Sequence, residues 1–356
     1  MSTILARRTI DLVLMMALAG LLGSVPAVAD DSDLERGIAA FEAEDYERAY
    51  ELLESEAEAG KPEAQLYLGS IYNHGLGVQQ DREKGMTLYL ESAEGGNAEA
   101  QATVAYSYLK GITVSENHEK AAQWYQRAAS QGDVSAQRSM GLRYKRGEGV
   151  ERDYQQAAEW FQRAAGQDDA RAAYALGKIY REGKGTEEDH AEAVRWFREA
   201  VEHGSVGARV RLAWHYEMGR GVETDYDRAE VLYKEGIRAG TDGPLVHFRL
   251  GSTLKKRAEE TESEADYGEA LQHLEAAARG GVEVAMLETA LFHLNGYSGE
   301  RNRPEGYAWL RVLNKKAEEI RVHGLEDQIR TVRARMMPEQ RDEGRERFEQ
   351  LLSELE

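Results

Sequence analysis

The sequence predicts an all-α solenoid of stacked antiparallel helix pairs, and three observations carry that expectation. An aspartate or asparagine recurs every 36 residues, at Asp45, Asp81, Asn117, Asp153, Asp189 and Asp225, each four residues before a small one: Ala49, Gly85, Ala121, Ala157, Ala193 and Ala229. A period of that size marks stacked supersecondary units rather than one globular core. Alanine, glutamate and arginine run high beside 35 glycines and only 5 prolines, the balance of many short helices with punctuated ends. Strand signals are nearly absent. A chain of 356 residues has room for two or three ordinary domains, but the repeat makes it one elongated array of local contacts. Function is therefore to be sought on a surface.

The first 29 residues stand apart. Arg7 and Arg8 precede an apolar run from Leu12 to Leu22, then Ala27-Val28-Ala29 and acidic Asp30, which reads as a secretory signal cleaved near Ala29, leaving a periplasmic or secreted chain. The apolar run falls short of the roughly 20 residues a membrane helix needs, and no later segment approaches that length. Asp11 interrupts a twin-arginine reading of Arg7-Arg8, so general secretion is favoured. The absence of cysteine excludes a lipid-anchored cysteine, disulfides and thiolate chemistry. The formal charge of −19 becomes −20 once a leader with two Arg and one Asp is removed, which disfavours nucleic acid as a partner.

The unit itself reads from its middle copy. Ala136, Met140, Gly141 and Tyr144 share one face of a first helix. Gly147-Glu148-Gly149-Val150 breaks it, because glycine tolerates the left-handed conformation that ends a helix. Asp153 then caps a second helix, with Tyr154, Ala157, Trp160, Phe161 and Ala164 on one face. The same frame places Gly69, Ala105, Gly141, Gly177 and Ala213 in the first helices, where small residues allow close packing, together with Tyr72, Tyr108, Tyr144, Tyr180 and Tyr216. It places Gly75, Gly111, Gly147, Gly183 and Gly219 in the loops, and Gly60, Gly96, Gly132, Gly204 and Gly240 between units, with Asp168 as the exception.

These residues closely resemble the Sel1-like repeat family, a relative of tetratricopeptide repeats. Its pattern is an alanine, Leu-Gly-x-x-Tyr, Gly-x-Gly-Val, Asp-Tyr-x-x-Ala and an aromatic pair before Ala-Ala. The pattern runs as Leu68-Gly69 through Ala93, Ala105 through Ala129, Gly141 through Ala165, Gly177 through Ala200 and Ala213 through Gly240. The expected organisation is a tetratricopeptide-like pair over 30–60, five repeats over 61–240, a degenerate repeat with an insertion over 241–281, a final degenerate repeat over 282–322, and capping helices over 323–356. The opening pair lacks the Gly-x-Gly loop. In the sixth repeat Leu250-Gly251 is kept, charged Lys255 to Ala265 replaces the loop, and Asp266-Tyr267 restores the frame. Asn302, Gly306 and Trp309 echo a last pair, and Pro338 marks a helix start. The resemblance implies a right-handed superhelical solenoid whose first helices line the concave side.

Most conspicuous side chains have an architectural reading. Trp124, Trp160 and Trp196, each followed by Tyr125, Phe161 or Phe197, suggest a stacking ladder, but the position is the packing face of every second helix. The Gly-x-Gly loop lacks a third glycine, follows a helix and has no Walker lysine-serine pair. Gly296-Tyr297-Ser298-Gly299 misses the nucleophile-elbow spacing. The nine histidines are dispersed without paired ligand spacing, and no carboxylate pair stands out from helical surfaces rich in glutamate. No cofactor or metal is expected.

The residues left over form four rows on the first helices: Leu66, Ala102, Arg138, Tyr174, Val210; Ser70, Tyr106, Leu142, Lys178, Trp214; Asn73, Leu109, Lys145, Arg181, Glu217; and His74, Lys110, Arg146, Glu182, Met218. These positions lie most nearly opposite the packing face. The candidate partner-binding set is Tyr106, Lys110, Arg138, Leu142, Lys145, Arg146, Tyr174, Lys178, Arg181 and Trp214. A basic and aromatic patch within an acidic chain suits an acidic peptide, an anionic glycan or an acidic protein surface. The resemblance implies a non-enzymatic scaffold that binds a partner protein, in envelope signalling, exopolysaccharide assembly or host contact. An anionic-polysaccharide module is the alternative. A cell-wall-related hydrolase is the lesser alternative that the resemblance implies, but no nucleophile and base pair emerges here to carry it.

Overall fold

The computed structural model describes residues 32–316 and 324–355, so the leader expected over 1–29 lies outside the described residues. Among these there are eighteen α-helices and no strand. They are α1 Asp33–Glu42, α2 Tyr46–Glu58, α3 Pro62–His74, α4 Arg82–Glu94, α5 Ala98–Lys110, α6 His118–Ser130, α7 Val134–Arg146, α8 Tyr154–Ala165 and α9 Ala170–Glu182. They continue as α10 His190–Glu202, α11 Val206–Met218, α12 Tyr226–Arg238, α13 Pro244–Thr261, α14 Glu264–Arg279, α15 Glu283–Asn295, α16 Arg303–Lys316, α17 Leu325–Ala334 and α18 Pro338–Leu355. The chain is an all-α repeat solenoid, divided within α5 into one compact unit up to Ala100 and another from Gln101. No described helix is long and apolar enough to cross a membrane.

One pair of hydrogen bonds recurs at the start of the second helices. The side chains of Asp81, Asn117, Asp153, Asp189 and Asp225 accept from the amides of Lys84 at 2.9 Å, Lys120 at 2.8 Å, Gln156 at 3.0 Å, Glu192 at 2.9 Å and Arg228 at 2.9 Å. This satisfies a helix amide that has no intrahelical partner. The backbone N–H of the same residues donates back across the loop to the carbonyls of Tyr72, Tyr108, Tyr144, Tyr180 and Tyr216, at 2.8, 2.8, 2.9, 2.9 and 3.0 Å. One residue thus starts a helix and ties it to the end of the previous one. Asp45, in the pair without a Gly-x-Gly loop, keeps the side-chain cap but donates its N–H to Ala40 instead.

In the unit up to Ala100, α1 to α4 enclose Ala49, Leu53, Ala57, Ala64, Leu68 and Ile71. Tyr50 and Tyr72 meet edge to face at 5.9 Å, and Lys84 donates to the Tyr72 hydroxyl at 2.6 Å. In the unit from Gln101, the second-helix aromatics fill the space left by small residues on the first helices. A Cβ placed on Gly141 would lie 2.6 Å from the Phe161 ring, and one on Gly177 would lie 2.5 Å from Phe197. Both rings are fully buried. Trp160 and Trp196 are buried as well, and Trp124 is half-buried. The guanidiniums of Arg127, Arg163 and Arg195 stack over Trp124, Trp160 and Trp196 at 4.4, 4.4 and 4.1 Å, a cation–π contact that covers one face of each indole.

The second glycine of the loop joins neighbouring units. A Cβ on Gly149 would sit 1.9 Å from the carbonyl oxygen of His118, and one on Gly221 would sit 2.2 Å from that of His190. Both glycines have positive φ, 75° and 73°. Thr113 occupies the corresponding place one unit earlier and takes φ 64° despite its branched side chain, a conformation that costs such a residue on the order of 1–3 kcal/mol. Asp168, the one residue between units that is not glycine, likewise adopts φ 66°.

The pattern relaxes toward the C-terminus. Without a glycine loop, α13 continues for 18 residues. Ser263 caps α14 by accepting from the Asp266 amide, so Asp266-Tyr267, which resumes the frame in the sequence, lies inside the helix. The Asp266 carboxylate instead takes two bonds from Arg257, at 2.8 and 2.7 Å. The recurrent bonds return at Asn302, whose N–H reaches the His293 carbonyl at 2.8 Å while its side chain accepts from Glu305 at 3.0 Å. Trp309 is fully buried and donates to Glu305, which pairs with Arg347 of α18 at 2.8 Å. Phe348, Leu351 and Leu352 of α18 close a core with Met286, Trp309, Leu310 and Leu313.

Gly221→Ala is expected to lower the urea unfolding midpoint by an amount equivalent to about 3 kcal/mol, the combined effect of positive φ and a backbone clash. Thr113→Gly is expected to raise it by about 1 kcal/mol. Equal midpoints for the three proteins would contradict this reading of the loop.

Candidate functional site

The candidate residues all lie on the first helices of the unit from Gln101, but their surroundings differ. Tyr106, 49% exposed, and Lys110 stand free on α5. Arg138 on α7 is half-buried and pairs with Asp169, whose other carboxylate oxygen caps α9 through the Ala172 amide at 2.8 Å. That arginine therefore joins two repeats. Leu142 is half-buried against the core. Arg146 is exposed, with Glu148 at 3.5 Å.

Lys145 and Lys178 belong to a basic cluster across α7 and α9. Burial, and then the charge of Lys178, hold the Lys145 amine below its ordinary pKa. Arg181 and Lys184 both bond Glu182, at 2.6 and 2.9 Å. The Lys184 bond, with Arg181 in support, lowers the Glu182 carboxyl to about 2. One carboxylate thus offsets two cations, and the cluster keeps a positive excess.

The structure gathers three of the candidates, Tyr174, Arg181 and Trp214, into one groove of about 560 Å³. From α9 come Tyr174 and Arg181, from α11 Val210, Arg211 and Trp214, and from α13 Leu245, Val246 and Arg249, with Tyr233 of α12 reaching its floor. Arg211, Leu245 and Arg249 are lining residues that the row reading does not find. Arg211 falls between two rows, and α13 belongs to the repeat whose loop has been replaced.

Glu217 explains how the floor is held. It occupies the place of Lys145 and Arg181 in the third row, yet its side chain is only 1% exposed. The Tyr233 hydroxyl donates to it at 3.0 Å and the Lys256 amine at 3.1 Å, with the Arg249 guanidinium 3.7 Å away. Burial and then the Glu217 charge push the Tyr233 hydroxyl well above its ordinary pKa, so it remains a donor. A buried carboxylate is tolerated only when paired and hydrogen-bonded; here it pairs with two cations, of which Arg249 lines the groove. Trp214 is set edge-on to the fully buried His215, ring centroids 4.9 Å apart, and Arg220 lies 5.5 Å from its ring. His215 Nδ1 donates to the Arg220 carbonyl at 2.8 Å, while Nε2 is buried with no partner among the described residues. Burial lowers its pKa to about 4. On the α13 side, the Nδ1 atoms of His247 and His273 meet at 2.9 Å.

Among the described residues no group of three His, Cys, Asp or Glu side chains is placed to hold a metal ion. The groove presents aromatic and aliphatic surface ringed by guanidiniums, equipment for recognition.

A family profile described as Sel1 repeat matches residues 34–61, 62–97, 98–133, 134–169, 170–205, 206–241, 247–282 and 284–311. Among solved structures the chain is similar to a Sel1 repeat protein from Oxalobacter formigenes, with 34% identity over 61% of this chain and 91% of that one, and a TM-score of 0.57. It is also similar to c5321, a protective antigen present in uropathogenic Escherichia coli strains that displays an SLR fold, with 21% identity over 91% of each chain and a TM-score of 0.58. At that identity the likeness shows the fold alone. No match was found among curated proteins.

Because its folded pKa lies below the unfolded value near 6.5, His215 contributes stability that is complete above pH 6.5 and is lost as pH falls toward 4. Between pH 7 and pH 5 that loss is roughly 2 kcal/mol. The unfolding midpoint of His215→Asn is expected to change less over this interval than that of the parent; an identical acid dependence would refute the assignment.

Proposed function

We propose, from the premise that the chain belongs to the Sel1 repeat family, that it is a non-enzymatic exported scaffold that binds a partner protein through the first-helix surface of α7, α9, α11 and α13. Sel1 repeats generally serve protein–protein interaction, and a repeat array offers contact area without needing reactive groups. The observation that carries the reading is local charge inversion. In a chain of net charge −19, the groove collects Arg181, Arg211 and Arg249 around Trp214, with Lys145 and Lys178 next along the same face. An acidic partner surface meets both charge and aromatic demands. Export rests on Arg7-Arg8, the Leu12 to Leu22 run and Ala27-Val28-Ala29.

The anionic-polysaccharide reading is favoured by one feature, the excess positive charge of the Lys145 and Lys178 cluster. It is less well matched by the aliphatic wall of Val210, Leu245 and Val246, which gains nothing from a polyanion lacking apolar side chains.

In-cell cross-linking with an amine-reactive ester is expected to join Lys145 and Lys178 to peptides of one predominant protein. The lowered pKa of Lys145 leaves more of its amine free to react. Arg211→Glu should reduce that capture about tenfold, equivalent to roughly 1.4 kcal/mol. Unchanged capture contradicts the use of this face, and recovery of saccharide alone favours the alternative. The N-terminus of the cellular protein is expected at Asp30; a cytoplasmic chain retaining Met1 contradicts export.

A further inference from the structure

We infer that the groove between α9, α11 and α13 takes a short acidic peptide segment carrying one aromatic or long aliphatic residue, whose side chain enters over Trp214 while flanking carboxylates meet Arg181, Arg211 and Arg249. The inference rests on the scaffold reading above and supplies the chemistry of what the scaffold grips. Size comes first. A space of about 560 Å³ lies in the range of small-ligand sites, enough for a few side chains and too little for a folded domain to enter.

The walls demand two kinds of group at once. Leu245 leaves 67% of its surface in water at the groove, and Trp214, Tyr174 and Val210 are half-buried beside it. Covering a large aliphatic side chain and an indole gives on the order of 25 cal/mol per Å² of apolar surface removed from water, a gain available only to an apolar side chain. The rim is cationic. Arg211 is exposed and has no ion-pair partner among the described residues. Arg249 shares the single carboxylate of Glu217 with Lys256, and Arg181 shares Glu182 with Lys184. Each of these arginines keeps donor capacity that a planar carboxylate matches.

The site is also set in advance. The edge contact to buried His215 holds Trp214, and Glu217 with Tyr233 fixes the floor beneath Arg249. The ordering that opposes binding then falls mainly on the exposed side chains of Arg211 and Leu245. An acidic residue on each side of the apolar one reaches guanidiniums on α9 and on α11 or α13. A polymer with carboxylates alone leaves the Leu245 wall bare, and an apolar peptide without them leaves Arg211 without a carboxylate and the remaining donors of Arg181 and Arg249 unused.

Three fluorescein-labelled peptides test this by polarisation with the purified protein: Asp-Asp-Phe-Asp-Asp, Asp-Asp-Ser-Asp-Asp and Lys-Lys-Phe-Lys-Lys. The first is expected to bind at least about tenfold tighter than the second, and the third not to bind. Trp214→Ala and, independently of any packing effect, Arg211→Glu are each expected to weaken the first about tenfold while the far-UV circular dichroism is unchanged. Equal binding of the Phe and Ser peptides, or no binding of either up to millimolar protein, overturns the inference. The scaffold reading falls separately, if cross-linking through Lys145 and Lys178 retrieves no protein.

Discussion

The structure depends on a residue that bonds in two directions. At Asp81, Asn117, Asp153, Asp189 and Asp225 the side chain accepts from the first turn of the second helix and the backbone N–H donates to a tyrosine carbonyl at the end of the first. These bonds set where each second helix begins and how far the chain travels between helices. The register of the glycines and aromatics follows from that distance. Where the loop is missing, between α13 and α14, neither bond forms at Asp266, and Arg257 takes its carboxylate instead.

Close approach turns register into rigidity. Phe161 and Phe197 fit against Gly141 and Gly177, and Gly149 and Gly221 touch the backbone of the preceding second helix. Such contacts admit few alternative packings, so side chains on the opposite side of the first helices are presented in fixed positions. The groove around Trp214 inherits this rigidity. Its floor adds a polar lock, the buried Glu217 with Tyr233, Lys256 and Arg249, which replaces at that register the basic residues of the two preceding repeats.

The helix pairs were legible because caps, glycines and packing residues answer local steric and hydrogen-bond demands that recur with the period. The rows also hold Tyr174, Arg181 and Trp214, which the structure brings together. Helix angle alone does not show that Arg138 is engaged by Asp169, that Leu142 leans on the core, or that Glu217 is buried, since each outcome depends on side chains from another helix. Arg249 and Leu245 escaped because α13 departs from the period, and Arg211 because exposure at a groove edge does not follow from helix angle alone. Periodicity identifies what every repeat shares; the site is built from what neighbouring repeats do differently.

Asn117 and Asn302 stand where other repeats carry Asp81, Asp153, Asp189 and Asp225, and each makes both bonds. If hydrogen bonding sets the register, the carboxylate charge is dispensable. The most direct measurement is the urea unfolding midpoint of Asp153→Asn beside Asp153→Ala. The account predicts that the asparagine variant stays within a few tenths of a kcal/mol of the parent while the alanine variant loses about 1 kcal/mol. An alanine variant as stable as the parent, or an asparagine variant as damaged as alanine, would contradict it.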